Sequence, residues 1–423
     1  MFLEKLNAFV WGFPALLLIL GVGLYLSICT GFVQIRLFPA AIKNFLIKFI
    51  KRKNISNQIS PFQALCTALA ATVGTGNLAG VAGAICIGGP GAVFWMWISA
   101  LLGMVTKFAE ATLATRFCTV NEAGEKVGGP MYMICLGMGK RWKWLASMYA
   151  FFGIIASFGV GNATQVNTVV AGINQALSAI GIETSLISNL CIGIALSFVV
   201  VTVLMGGAKR IGHAAELLVP FASAIYILLG LVALIFNVHN VPAAFHAIFH
   251  GALSPKAVTG GMIGSAFTAL RIGTSRGVLT NEAGMGTASI AHAGANTTEP
   301  VEQGLMGIVE VFLDTIVICT ITALVILCSG ISIPYGTDIG IVLTTHAFTN
   351  VFGEWSSILI AALLCCFAFA TILGWGLYGI RCTQYLFEHR AWRQFVYLQG
   401  LFTIIGALTG TGTMWLITDI INA

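Results

Sequence analysis

The stretch "ATVGTGNLAG" (residues 71–80) sits inside an apolar run, 61–88, that is otherwise long enough to cross a bilayer as one helix. Glycine is about 1 kcal/mol less favourable than alanine in a helix interior, and here Gly74 and Gly76 flank Thr75 and run into Asn77. The run therefore predicts a helix broken at Val73-Gly74-Thr75-Gly76-Asn77. In a bilayer, non-helical backbone is tolerated only where protein or a water-filled cavity satisfies its N–H and C=O groups. The stretch thus points to a binding site inside a membrane protein. The alternative, glycines that only let helices pack closely, leaves the polar Thr75 and Asn77 unexplained.

The rest of the chain fits that setting. Of its 423 residues 58% are hydrophobic and 9% charged, against about 25% charged in a soluble domain. Repeated apolar stretches of 18 or more residues, without the alternation of a membrane barrel, predict an all-α polytopic bundle. Hydrophobic segments are expected near 8–28, 61–88, 91–117, 145–178, 187–206, 212–236, 258–290, 303–328, 355–380 and 395–418. The first is too long for a signal-peptide core and reads as a retained helix. No linker or charge block divides the chain, so 1–423 reads as one transmembrane domain. The eleven cysteines lie mostly within apolar segments and lack metal-ligand spacing.

Basic residues fall between spans rather than on one soluble face, which argues against nucleic acid. Arg36, Lys43, Lys48, Lys51, Arg52 and Lys53 crowd the first loop, and Lys126, Lys140, Arg141 and Lys143 the third. Lys209 and Arg210 fill the fifth, and Arg381, Arg390 and Arg393 lie between the last two spans. If the spans alternate, all four loops share one side, which the positive-inside rule makes cytoplasmic. The N-terminus is then outside. The opposite loops hold little more than Lys5 and Lys256, and the outward segment Gly330–Gly353 reads equally as a short helical lid or an ordinary loop.

A second interruption is expected at Leu270-Arg271-Ile272-Gly273-Thr274-Ser275-Arg276-Gly277, with four uninterrupted spans between it and the first. Corresponding glycine-interrupted segments in two halves of a carrier mark a binding site at the midplane, with freed N–H groups suited to a carboxylate and freed carbonyls to a cation. "GGPGAVFWMWISALLG" (88–103) resembles the signature of the sodium:alanine symporter family along its whole length. "ATVGTGNLAGVA" (71–82), "SFGVGNATQVN" (157–167), "RGVLTNEAGMG" (276–286) and "FATILGW" (369–375) are similar to its other recurrent blocks. The resemblance covers residues 8–418. It implies a LeuT-like inverted five-plus-five repeat with two discontinuous helices and one extra N-terminal helix at 8–28. The repeats would then occupy 61–236 and 258–423, the second incomplete. It also implies sodium-coupled uptake of alanine or glycine across a bacterial-type cell membrane, with no cofactor beyond the co-transported ion.

On that reading Thr75, Gly76 and Asn77 are candidates for the substrate carboxylate. Gln165 matches a family position resembling a substrate ligand, although Gln165 and Asn167 could equally cross-link helices. Ile272, Gly273 and Thr274 are expected to line the other side of a small pocket, with Trp375 as a wall or an interfacial anchor. Ala370-Thr371 stands where the family more often has Ser-Thr. Thr371 then either ligates sodium with the carbonyls of Ala71 and Gly74, or back-bonds within its own helix.

Charges inside spans are functional candidates by default. Lys107 and Glu110, three apart, are expected to neutralise one another. Glu310 and Asp314, four apart, would repel if both were ionised, so either one is protonated as a coupling site or they pair with Arg271 or Arg276. Asn281 and Glu282 read as an inner gate with Arg276, or as a plain cap and turn. Family members usually continue through one more helix after the position of Trp415, so the last core helix is expected to be missing, which makes a transport-inactive remnant an alternative. Proton-coupled symport through Glu310 or Asp314 is another, and a channel or substrate sensor a third. An enzyme is weakest, because no span carries a nucleophile beside a base or a two-His metal face.

Overall fold

A computed structural model describes residues 13–50, 59–121, 124–253, 257–259, 262–264, 266–337, 339–388 and 390–410. The chain is a helical bundle with two short hairpins, β1 (Thr119–Val120) with β2 (Lys126–Val127), and β3 (Ala257–Thr259) with β4 (Met262–Gly264), both antiparallel.

Helix α1 (Phe13–Cys29) packs on the outside, and α2 (Phe38–Ile50) lies against the later helix that carries Glu302. Lys48 pairs with that glutamate at 3.0 Å. The first interrupted span is α3 (Pro61–Thr72) and α4 (Gly76–Gly88), bent by 49° where the sequence predicts the break. Ser60 and Gln63 start α3 with a reciprocal capping box, and Pro61 supplies the first turn. Then follow α5 (Gly91–Arg116), α6 (Lys140–Ser178), α7 (Leu186–Leu204) and α8 (Gly207–Phe236). Helix α9 (Val241–Leu253), too short and amphipathic to be expected as a span, crosses the start of α5. A β-carbon on its Gly251 would stand 2.9 Å from the Gly91 nitrogen.

The segment expected as 258–290 departs from its reading. Helix α10 (Ala266–Asn281) runs unbroken through Leu270–Gly277, and the chain leaves helical geometry only afterwards, before α11 (Ala288–Ala293). The reason is packing. A β-carbon on Gly273 would collide with the Ala92 carbonyl of α5, and one on Gly277 with Ser99, so these glycines let α10 press against α5. The true departure is marked by left-handed backbone at Glu282 (φ 53°), Gly284 (95°) and Gly286 (74°).

The chain continues through α12 (Pro300–Cys328), α13 (Ile341–Phe352), α14 (Trp355–Leu386) and α15 (Trp392–Leu408). Between Gly330 and Gly353, where a helical lid and an ordinary loop are equally expected, the chain forms the helix α13. Helices α12 and α14 are central, whereas α7 and α8 present Phe198, Leu228 and Ile235 outward, 73%, 64% and 69% exposed. Such an apolar exterior is stable only against lipid. Among the described residues four stretches are π-helical: Gly76–Gly80 opening α4, Ile134–Met138 before α6, Gly159–Ala163 within α6, and Phe312–Cys319 within α12. Lys5, Lys51, Arg52, Lys53, Lys256 and the chain from 411, including Trp415, lie outside the described residues.

Candidate functional site

At the first break Val73 is extended (ψ 95°), and the Gly74 N–H, with no helical acceptor, donates to Asn77 Oδ1 at 2.8 Å. Asn77 is thereby turned away from the expected carboxylate role. Its Nδ2 donates to Asp314 Oδ1 (2.7 Å) and to the Asp314 carbonyl (3.1 Å). Thr315 Oγ1 donates to the other Asp314 oxygen (2.7 Å), and Asn281 Nδ2 donates to that hydroxyl (3.2 Å). The π-helical turn of α12 carries Asp314 and Thr315 together, so the first break, the end of α10 and α12 meet on one buried carboxylate.

Beside this knot a cavity of about 30 Å³ is lined by Thr72, Gly74, Thr75 and Gly76 of the first span, by Val160, Thr164 and Gln165 of α6, and by Ala71, Leu279, Glu282 and Trp375. The Thr75 N–H lies 3.4 Å from Gln165 Oε1, while the Gln165 amide donates to the Val160 carbonyl freed by the π-turn (3.1 Å). The Thr75 hydroxyl is buried with no hydrogen-bond partner among the described residues. Trp375 closes the wall by packing on Gly161, where any β-carbon would strike its indole. Its N–H is directed at Glu282 without completing a hydrogen bond. Thr75, Gly76, Gln165 and Trp375 are therefore gathered as expected. Asn77, Ile272, Gly273 and Thr274 are not in the wall. Val160, Thr164 and Leu279 were not singled out by the sequence, and the only signal for the first two was the glycine pair that forms the π-turn.

Thr371 faces the same break from α14. A β-carbon on Gly74 would collide with Thr371 Oγ1, and one on Gly374, a turn later, would stand 2.8 Å from the Ala71 nitrogen. The hydroxyl donates to Phe367 O of its own helix at 3.0 Å, which leaves its lone pairs to accept, with Gly74 alongside. The two expectations for Thr371 are thus compatible: back-bonding fixes the hydroxyl as an acceptor.

The intramembrane charges pair differently from expectation. Glu310 pairs with Lys107 (3.4 Å) and His292 (2.8 Å) rather than with Arg271 or Arg276. Glu110, expected to neutralise Lys107, instead accepts the N–H groups of Gly284 (2.9 Å) and Gly286 (3.1 Å) in the second break. Left-handed glycines aim successive N–H groups at one point, and a carboxylate is the natural acceptor. Glu282 accepts from Thr287 at 2.5 Å, and Asn281 Oδ1 takes the Ala283 N–H at 3.0 Å, a local turn. The amides at Asn162 and Asn167 do cross-link helices. Asn162 bonds the Gln399 side chain of α15, and Asn167 donates to the carbonyl of Thr409 at 2.5 Å.

Among the described residues no cluster of three or more His, Cys, Asp or Glu side chains forms a metal site. All of residues 1–423 match the sodium:alanine symporter family. The chain is 41% identical to the sodium/alanine symporter AgcS of Methanococcus maripaludis, over 99% of its length and 90% of that protein's. It is 40% identical to an uncharacterized transporter of Haemophilus influenzae, with the same coverage. Among solved structures, MhsT in complex with L-phenylalanine superposes with a TM-score of 0.64 at 15% identity, covering 86% of each chain, which establishes a LeuT-type fold. The chain therefore belongs to the sodium:alanine symporter family, as a multi-pass membrane carrier of amino acid and cation and not an enzyme.

Proposed function

We propose that this carrier imports a small neutral amino acid, alanine or glycine, by symport with sodium across the cell membrane. Its N-terminus is outside, and the two interrupted spans alternate as the moving elements of an inverted repeat. The observation that carries the reading is the cavity at the first break, where the unpaired Thr75 hydroxyl and the backbone of Gly74–Gly76 face a small space shut by Trp375. The N-terminus of half-helix α4 at Gly76 favours a carboxylate there. Thr75, Gly76 and Gln165 bind it, and Trp375 limits side-chain size. Sodium sits between Thr371 and the carbonyls of Ala71 and Gly74, a set of hard oxygen donors suited to that ion.

The test is uptake of radiolabelled alanine into proteoliposomes under an inward sodium gradient, with potassium substituted in the control. Accumulation that requires sodium is the expected result, and accumulation indifferent to sodium ends the proposal. Thr371→Val raises the sodium concentration for half-maximal uptake at least tenfold and leaves alanine binding at saturating sodium within threefold. Equal loss of both would mark Thr371 as structural only.

A second reading rests on Asp314, fully buried with no ion-pair partner among the described residues. If it carries the coupling ion as a proton, uptake survives removal of sodium and stops when the proton gradient collapses.

A further inference from the structure

Helix α9 takes no part in the cavity or in the charge pairs around the two breaks. One of its faces is pinned to the bundle. Ala244, Ile248, Gly251 and Ala252 are buried, and the Gly251 backbone meets that of Gly91 at the start of α5. Phe245 lies 6.2 Å from Trp97 and Phe249 lies 5.8 Å from Phe94, measured between ring centres. Asn240, just before the helix, donates to the Cys328 carbonyl at the end of α12 (2.9 Å). The opposite face is exposed and carries His246 and His250.

Side chains four apart on a helix stand one above the other on the same face. The two imidazoles accordingly lie side by side, their centres 5.7 Å apart and their planes within 16° of parallel. Two histidines at this spacing are the pair of zinc ligands that a single helix supplies in many metal sites. With metal–nitrogen bonds of about 2.1 Å, a cation held by both rings sets their centres about 5 Å apart. The observed separation closes to that value when the ring edges tilt together, and the helix beneath does not move. Because α9 is fixed along its other face, the donors are already arranged and little ordering remains to be done on binding.

Imidazole nitrogen suits first-row transition ions, whereas Mg²⁺ and Ca²⁺ take oxygen ligands. Among the described residues no three His, Cys, Asp or Glu side chains gather around one point, so His239 is not a third ligand and water completes the coordination. Helix α9 follows the end of α8 remote from Lys209 and Arg210, which places the pair on the side opposite the basic loops.

We propose that His246 and His250 form a site for one divalent transition-metal ion on the exposed face of α9, binding Cu²⁺ more tightly than Ni²⁺ or Zn²⁺, as the usual order of divalent affinities requires. Neither histidine lines the transport cavity, and the inference does not rest on the symport reading.

The experiment uses the full chain without a polyhistidine tag, purified in detergent, with Cys29→Ser and Cys191→Ser removing exposed thiols that also take copper. Cu²⁺ is titrated by equilibrium dialysis and its coordination read by electron paramagnetic resonance. The expected result is a bound ion whose spectrum shows coupling to two ring nitrogens, with affinity falling about tenfold or more in His246→Ala and in His250→Ala alike. His239→Ala leaves the affinity within about threefold. Zn²⁺ and Ni²⁺ displace the copper at higher concentration, and millimolar Ca²⁺ does not. An unchanged thermal midpoint without metal shows that each variant is folded, as expected for exposed side chains. Copper binding equal in the parent and in both variants overturns the proposal, as does a tenfold loss in His239→Ala or displacement by Ca²⁺.

Discussion

Gly74→Ala reduces sodium-driven uptake at least a hundredfold while the protein still inserts and folds. The added β-carbon meets Thr371 Oγ1, with Gln165 Oε1 3.4 Å away on the other side. Thr371 is held by its bond to Phe367 O and α14 is close-packed against Ala71, so neither wall retreats without moving a helix. Inserting a methyl group into a packed site costs about 1–3 kcal/mol, which the bundle survives. The proposed sodium ligands and the substrate cradle, however, lie on either side of this one glycine, so the displacement falls on both. Uptake measured against abundance in the membrane checks this. Activity within tenfold of the parent would place the transport site elsewhere.

Lys107→Met produces the largest loss of stability. It removes the cation opposite a fully buried carboxylate and leaves Glu310 with His292 alone. Stranding one member of a buried ion pair costs about 3–5 kcal/mol. The expected observation is a much lower thermal midpoint in detergent and several-fold less protein in the membrane. Adding Glu310→Gln to Lys107→Met recovers most of the loss, because an amide keeps an acceptor for His292 without a charge. If the double variant is no more stable than the single, the lysine acts through packing of its stem and not through charge.

Much of the architecture is legible in the sequence because lipid imposes long apolar runs and glycine marks their interruption. The break at 73–77 is read correctly because Gly74, Gly76 and Asn77 stand together where a helix gains nothing from them. The second break was placed at Gly273 and Gly277 by the same logic, and there the logic fails. Those glycines serve close approach to α5, whereas the real departure at Glu282 depends on Glu110, far away in sequence, accepting the Gly284 and Gly286 N–H groups. No local pattern contains that contact. The charges show the same limit. Residue spacing on one helix suggested Lys107 with Glu110, but the partner of Lys107 comes from α12. Asn77 was legible as important and misread as to what it faces, since its amide is consumed by Gly74 and Asp314. The short helices α2 and α9 escaped because both are amphipathic and below spanning length.

The double engagement of Asn77 has a thermodynamic corollary. One planar amide holds the Gly74 N–H at its oxygen and Asp314 at its nitrogen, so the two ends cannot reorient separately. Whatever changes the charge state or occupancy at Asp314 is therefore felt at the backbone of the first break, and the reverse holds by the same factor. If Asp314 carries the coupling ion, as in the second reading, the affinity measured for the amino acid depends on that ion, and titrating one at several fixed levels of the other reads out the strength of that amide as a mechanical link.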